Sequence, residues 1–236
     1  MSTQNLKAWF VALLSVAAIG ATAGVLYDNT TYDTGTVLGP FANGQTIGDE
    51  IFLSNNAKYP ALTNFSFEYF SPDTSFFGTV SCEVQFFLNN GAPTNGFNAP
   101  GTIFYDSGAF PIQAPNSIYP GTNSAVLNFS LANLQGGVHP LSPSFLMPSN
   151  FTVAITFTYS SGFDAVGLNV FDPATVGTNY GDYWLNNGGT WELLTNANMP
   201  VAFAMQLNAT PEPSVLAIGA VGAAVVAGFA RRRRKN

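Results

Sequence analysis

Between residues 24 and 209, apolar and polar positions alternate in short runs interrupted by Gly, Pro, Asn and Asp, and no helical period lasts beyond a turn or two. A period of two sends successive side chains to opposite faces of a strand. Phe65, Phe67 and Tyr69 alternate with Ser66, Glu68 and Phe70, and Val153, Ile155, Phe157 and Tyr159 alternate with Thr152, Ala154, Thr156 and Thr158. Each run therefore has one apolar face, and two sheets packed through such faces bury both. The pattern predicts strands at 36–38, 50–53, 62–70, 78–88, 101–107, 110–112, 125–128, 151–159, 165–171, 180–185, 190–194 and 200–206, of which about ten should survive. The last two before 200–206 read as a hairpin turning at 186–189, where Asn and Gly supply positive φ. The predicted fold is all-β: a two-sheet antiparallel sandwich, jelly-roll-like.

Two continuous apolar runs break this alternation. Near the start, Lys7 precedes an apolar run over 8–19, and Ala21-Thr22-Ala23 places small residues at both positions that signal peptidase reads. Residues 1–23 are expected to be a signal peptide carried as a helix through the Sec translocon, with cleavage after Ala23. Near the end, 214–230 is uncharged and long enough for about 25 Å of helix, the short limit for a bilayer span. Arg231, Arg232, Arg233, Arg234 and Lys235 follow it. Such a basic cluster stops transfer and stays cytoplasmic, which places the body at 24–209 on the far side of the membrane.

Charge sharpens the division. Of seven basic residues, only Lys58 lies between the two apolar runs, together with all thirteen acids, so this stretch carries a formal charge of −12. It lacks the basic footprint that nucleic acid requires, and it would repel anionic lipid. Disorder is not implied, because 14% aromatic residues and 47% hydrophobic residues accompany only 8% charged ones. Cys82 is the single cysteine, so no disulfide within the chain supports the fold.

Pro211-Glu212-Pro213, the Ala/Gly/Val-rich run and the terminal arginines together resemble the PEP-CTERM sorting signal of exopolysaccharide-producing Gram-negative bacteria. The resemblance covers 210–236. It implies recognition of Pro211, Glu212 and Pro213 by exosortase, a membrane cysteine peptidase, and transfer from an inner-membrane precursor to the cell surface or extracellular matrix. The two prolines suit that role by holding an extended approach to the membrane. The body more distantly resembles sandwich domains that precede this tail, through 39–51, 62–67, 100–108 and the hairpin; their biochemical role is unassigned.

Catalytic chemistry is sparse in this composition. The single histidine, His139, sits in a Gly-Gly-Val-His-Pro loop with no Gly-x-Ser-x-Gly elbow, and Cys82 reads as an ordinary strand thiol. One His and one Cys cannot furnish the usual zinc set. Calcium needs oxygen ligands only, and Asp49, Glu50, Asp164, Asp172 and Asp182 are its candidates, although no EF-hand loop exists. The five Asn-x-Ser/Thr sequons, at Asn29, Asn64, Asn128, Asn150 and Asn208, read as incidental in a bacterial chain. Tyr180, Trp184 and Trp191 share the predicted hairpin, where they either pack the core or stack on glycan. The sequence thus leads to a non-enzymatic surface protein associated with exopolysaccharide, with no cofactor. The alternatives are a carbohydrate-binding module using the hairpin aromatics and, third, a glycoside hydrolase-like enzyme.

Overall fold

The computed structural model describes residues 24–54, 62–115, 123–142, 145–195 and 200–209. The signal segment with Ala21 and Ala23, Lys58, and the tail with Pro211, Glu212, Pro213 and residues 231–235 lie outside the described residues. So does the predicted membrane span 214–230; no described helix is long and apolar enough to cross a membrane.

The chain is mostly β, in two large antiparallel sheets. The first is built on β4 (Leu62–Phe70). One edge of β4 pairs along its length with β10 (Ser124–Ser130). Its other edge carries β16 (Met205–Ala209) and then β12 (Gly167–Phe171), which extend the sheet to β1 (Gly24–Asp28) and β2 (Asp33–Leu38). The second sheet runs β15 (Thr190–Thr195), β14 (Asp182–Asn187), β3 (Thr46–Phe52), β11 (Asn150–Tyr159), β5 (Val80–Phe87), β8 (Ile103–Asp106). Short strands β9 (Phe110–Ile112) and β13 (Thr178–Asn179) pair with β5 and β3. A separate hairpin joins β6 (Pro93–Thr94) to β7 (Phe97–Asn98).

The sheets share one apolar core. Val80, Cys82, Val84 and Phe86 point inward from β5, Phe151, Val153, Ile155 and Phe157 from β11, and Phe65, Phe67 and Tyr69 meet them from β4. The predicted inward sets of 62–70 and 151–159 are the ones buried. The outward set of β11 departs from expectation, because Thr152, Ala154 and Thr156 are buried too. Structure lies over that face: Trp191 on β15 reaches Phe87 on β5, edge to face at 5.4 Å. Gly48 makes room beneath, since a Cβ there would stand 2.6 Å from Thr152 Cγ2 and 3.7 Å from the Trp191 ring.

The predicted hairpin forms with a tighter turn than the four residues expected. Asn187 pairs with Thr190 across Gly188 and Gly189, whose φ values of 62° and 96° suit glycine. Asn186 Oδ1 accepts from the Gly189 N–H at 2.8 Å. One helical turn, α1 (Leu131–Leu134), is capped by Ser130, whose N–H donates to Asn133 Oδ1 at 2.9 Å.

The registers define two ends of the sandwich. Gly24 pairs with Ala209, and Ala209 with Leu62, at one end. Phe70 pairs with Gly167 at the other, where the loops 71–79 and 160–166 meet.

Candidate functional site

Acidic side chains dominate any chemistry here, because the described residues contain no lysine or arginine. Amides and backbone N–H groups take the place of cations. On the outward face of the second sheet Glu50 is buried, and its Oε1 accepts from Asn89 Nδ2 at 2.7 Å and Asn150 Nδ2 at 3.1 Å. Thr152 Oγ1 donates to Asn89 Oδ1 at 2.8 Å. Burial pushes the Glu50 carboxyl above its ordinary range, the two amides oppose the shift, and nearby Asp182 adds to it. The first sheet repeats the device: Asn169 Nδ2 donates to Glu68 Oε1 at 2.7 Å.

An acidic pair lies further along the same outward face. Glu83 and Asp106 are in hydrogen-bond contact, and burial followed by the Asp106 charge pushes the Glu83 carboxyl up. Gln85 Nε2 donates to Asp106 Oδ2 at 2.9 Å, and Asp106 Oδ1 accepts from the Gly108 N–H at 2.7 Å. This contact is closer than the separation of about 5 Å that a retaining glycosidase keeps between its carboxyls.

The calcium candidates are dispersed. Asp49 and Glu50 are consecutive on β3 and point to opposite faces, so one ion cannot take both side chains. Asp164 is committed to loop 71–79. Among the described residues no three of His, Cys, Asp and Glu gather as a metal site. His139 is exposed, and its backbone pairs with Asp106.

Each hairpin aromatic has a packing role. Trp184 is 1% exposed, so it presents no open face to solvent, and its Nε1 has no hydrogen-bond partner. Trp191 is half-buried against Phe87. Tyr180, 39% exposed, is wedged edge-on between Phe52 and Phe97, each at 5.0 Å. Phe97 belongs to β7, so these contacts pin the small β6–β7 hairpin to β3.

Cys82 is fully buried on the inward face of β5, deeper than a half-buried thiol. Burial, then the charge of Glu83, pushes its thiol well above the ordinary value. A thiolate is the reactive species. The folded protein is therefore expected to resist a water-soluble thiol reagent over a period in which the urea-unfolded chain reacts fully; equal rates would contradict this burial. Asn29 is also fully buried, with its Nδ2 donating to the Phe171 and Phe203 carbonyls at 2.7 and 3.0 Å, which leaves no room for a glycan on that sequon.

Two aromatic rings that sequence reading passed over are far more open. Phe77 and Phe163 are 75% and 80% exposed, and their ring centroids lie 6.0 Å apart. Phe163 stands alone in polar loop sequence and Phe77 stands next to Phe76, and neither carries a periodic signal.

No protein-family model, curated protein or solved structure matches this chain.

Proposed function

We propose that the chain is an exported, non-enzymatic surface protein, delivered to exosortase by its C-terminal tail and retained among the exopolysaccharide of a Gram-negative envelope. The observation that carries the reading is the tail: Pro211-Glu212-Pro213, an uncharged run over 214–230 and five basic residues, in that order. In this reading a jelly-roll-type body lies between a cleaved signal helix and a membrane-spanning helix.

The strand ladder supports it. The first described strand begins at Gly24, the residue expected after signal cleavage, and the last closes at Ala209, just before the tail. These two residues are paired, so both processing points leave the body at one end of the sandwich. The formal charge of −12 between the two apolar runs, with Lys58 the one cation there, favours neutral polymers over anionic ones as neighbours.

Intact-mass measurement of the secreted chain in an exosortase-bearing host is expected to show loss of both 1–23 and the arginine end. Deletion of the exosortase should leave the precursor in the inner membrane. A surface form that still carries residues 231–235 would sink the reading. A carbohydrate-binding module built on Tyr180, Trp184 and Trp191 has less support, given the burial of Trp184. A hydrolase using Glu83 and Asp106 would lack space between its carboxyls.

A further inference from the structure

The end of the sandwich opposite Gly24 and Ala209 carries the Phe77 and Phe163 rings. Large exposed aromatics cost solvation, and two of them side by side mark a contact surface. This pair is held. Asp164, itself 6% exposed, accepts the Phe77 N–H at 2.7 Å through Oδ1 and the Gly78 N–H at 3.0 Å through Oδ2. Thr79 N–H donates to Ser160 Oγ at 2.7 Å. The loops 71–79 and 160–166 thus form one clasp, and Gly78 lets them close: a Cβ there would stand 2.5 Å from Ser160 Oγ and 3.0 Å from Ser161 Cβ. Phe76, the neighbour of Phe77, packs toward the core, which fixes the base of the loop. The clasp fixes the loop backbone that carries the rings before binding, which lowers the entropic cost of contact.

An open groove runs beside the clasp, lined by Thr74, Ser75, Thr79, Gln113, Phe76 and Ile112 and by no charged side chain. Phe76 and Gly78, which flank Phe77 in the chain, both line the groove, so its hydroxyls and amide lie beside the loop that carries that ring; the set suits a ligand with both C–H faces and hydroxyl groups. A polyanion would meet an acidic body without lysine or arginine among its described residues, and a polycation would find no carboxylate in the groove. The ring planes are 59° apart, so successive units of a twisted chain can each meet a face.

We propose that Phe77 and Phe163, with this groove, bind a neutral polysaccharide chain. The inference rests on the exopolysaccharide reading and assigns it a surface, at the end away from the tail, where a tethered body would face the matrix.

The test is native electrophoresis of the full chain, solubilised in a polyoxyethylene detergent that has no sugar headgroup, through gels containing dextran, hydroxyethylcellulose or galactomannan. Retardation is expected in at least one gel. Phe77→Ala with Phe163→Ala should weaken it about tenfold, as the loss of an aromatic anchor does. Phe77→Tyr with Phe163→Tyr should retain it, and the thermal unfolding midpoint should shift by no more than about 4 °C in either double variant. Retardation that the alanine variant keeps overturns this site while the exopolysaccharide association stands on another surface. No retardation in any gel also overturns it; the intact-mass experiment then still decides the sorting reading. Ring-dependent cosedimentation with phosphatidylcholine vesicles, or a ring-dependent dimer in sedimentation, would overturn it in favour of lipid or of a second copy.

Discussion

Replacing Asp49 by asparagine is expected to raise stability at neutral pH by about 1–3 kcal/mol, the scale on which removing a poorly compensated buried charge acts. Asp49 points into the core, fully buried, with Oδ2 accepting the Phe203 N–H at 2.9 Å and Oδ1 without a partner. Asn29 binds the Phe203 carbonyl from the same region, and its Oδ1, like the Tyr27 hydroxyl, is also unpartnered. Burial is the main cause that pushes the Asp49 carboxyl well above its ordinary value; the Phe203 N–H opposes it, and Asp182 and Glu50 add to it. Asparagine keeps an oxygen for Phe203 and brings N–H donors to a region of unpaired oxygens.

The pH dependence follows from the direction of the shift. A folded pKa above the unfolded one means that the folded chain holds its proton longer. The associated stability is complete below the unfolded value of about 3.9 and is lost as pH rises toward the folded value. The loss is about 1.4 kcal/mol for each pH unit between the two. Glu50, Glu68, Glu83 and Asp182 are raised as well, so the whole protein should favour mild acid, and only comparison with the variant isolates Asp49. Urea unfolding between about pH 5 and pH 7 should give a shallower decline for Asp49→Asn than for the parent. Parallel declines would refute the assignment.

What the sequence made legible follows from which signals are local. The strands 62–70 and 110–112 stand at the predicted limits, and 151–159 differs by one residue, because a period of two or a bounded β-rich run is written in neighbouring residues. β1 was not predicted: Gly24–Asp28 has no clear alternation, and it becomes a strand by pairing with β16 near the far end of the body. The last strand was expected at 200–206 but stands at Met205–Ala209; residues 201–204 are buried and extended, with Phe203 bridged to Val170. The burial of Trp184 agrees with the core-packing reading of the hairpin aromatics, but what covers it was not legible. Trp184 pairs with Gly48 on β3, on the outward face, where the Trp191 ring also comes close to Gly48. With no lysine or arginine among the described residues, the buried carboxylates Asp49, Glu50, Asp106 and Asp164 each accept from an amide or a backbone N–H, as half-buried Glu68 does.

Phe86→Ala is expected to cost about 3–5 kcal/mol, the range for deleting a fully buried phenylalanine and leaving a cavity. Phe86 is where the two sheets lock. On its own sheet it meets Tyr105 at 4.8 Å, Phe151 at 5.3 Å and Phe104 at 5.9 Å. Across the core it meets Phe65 edge to face at 5.3 Å. Phe65 in turn touches Phe67 and Phe129, so one ring couples β5, β8 and β11 to β4 and β10. A domain stabilised by about 5–15 kcal/mol in total loses a large part of its margin when that ring goes. Phe86→Leu keeps most of the volume and should cost less than about 1.5 kcal/mol. The alanine pair at Phe77 and Phe163 removes two rings yet should shift stability by about 0.5 kcal/mol or less per site, since both are open to solvent. Urea unfolding of the three variants side by side sets burial against ring count. If the double surface variant proved costlier than Phe86→Ala, the clasp would be a structural element, and the division of aromatics between a core that holds the sheets and a tip that is free to bind would fail.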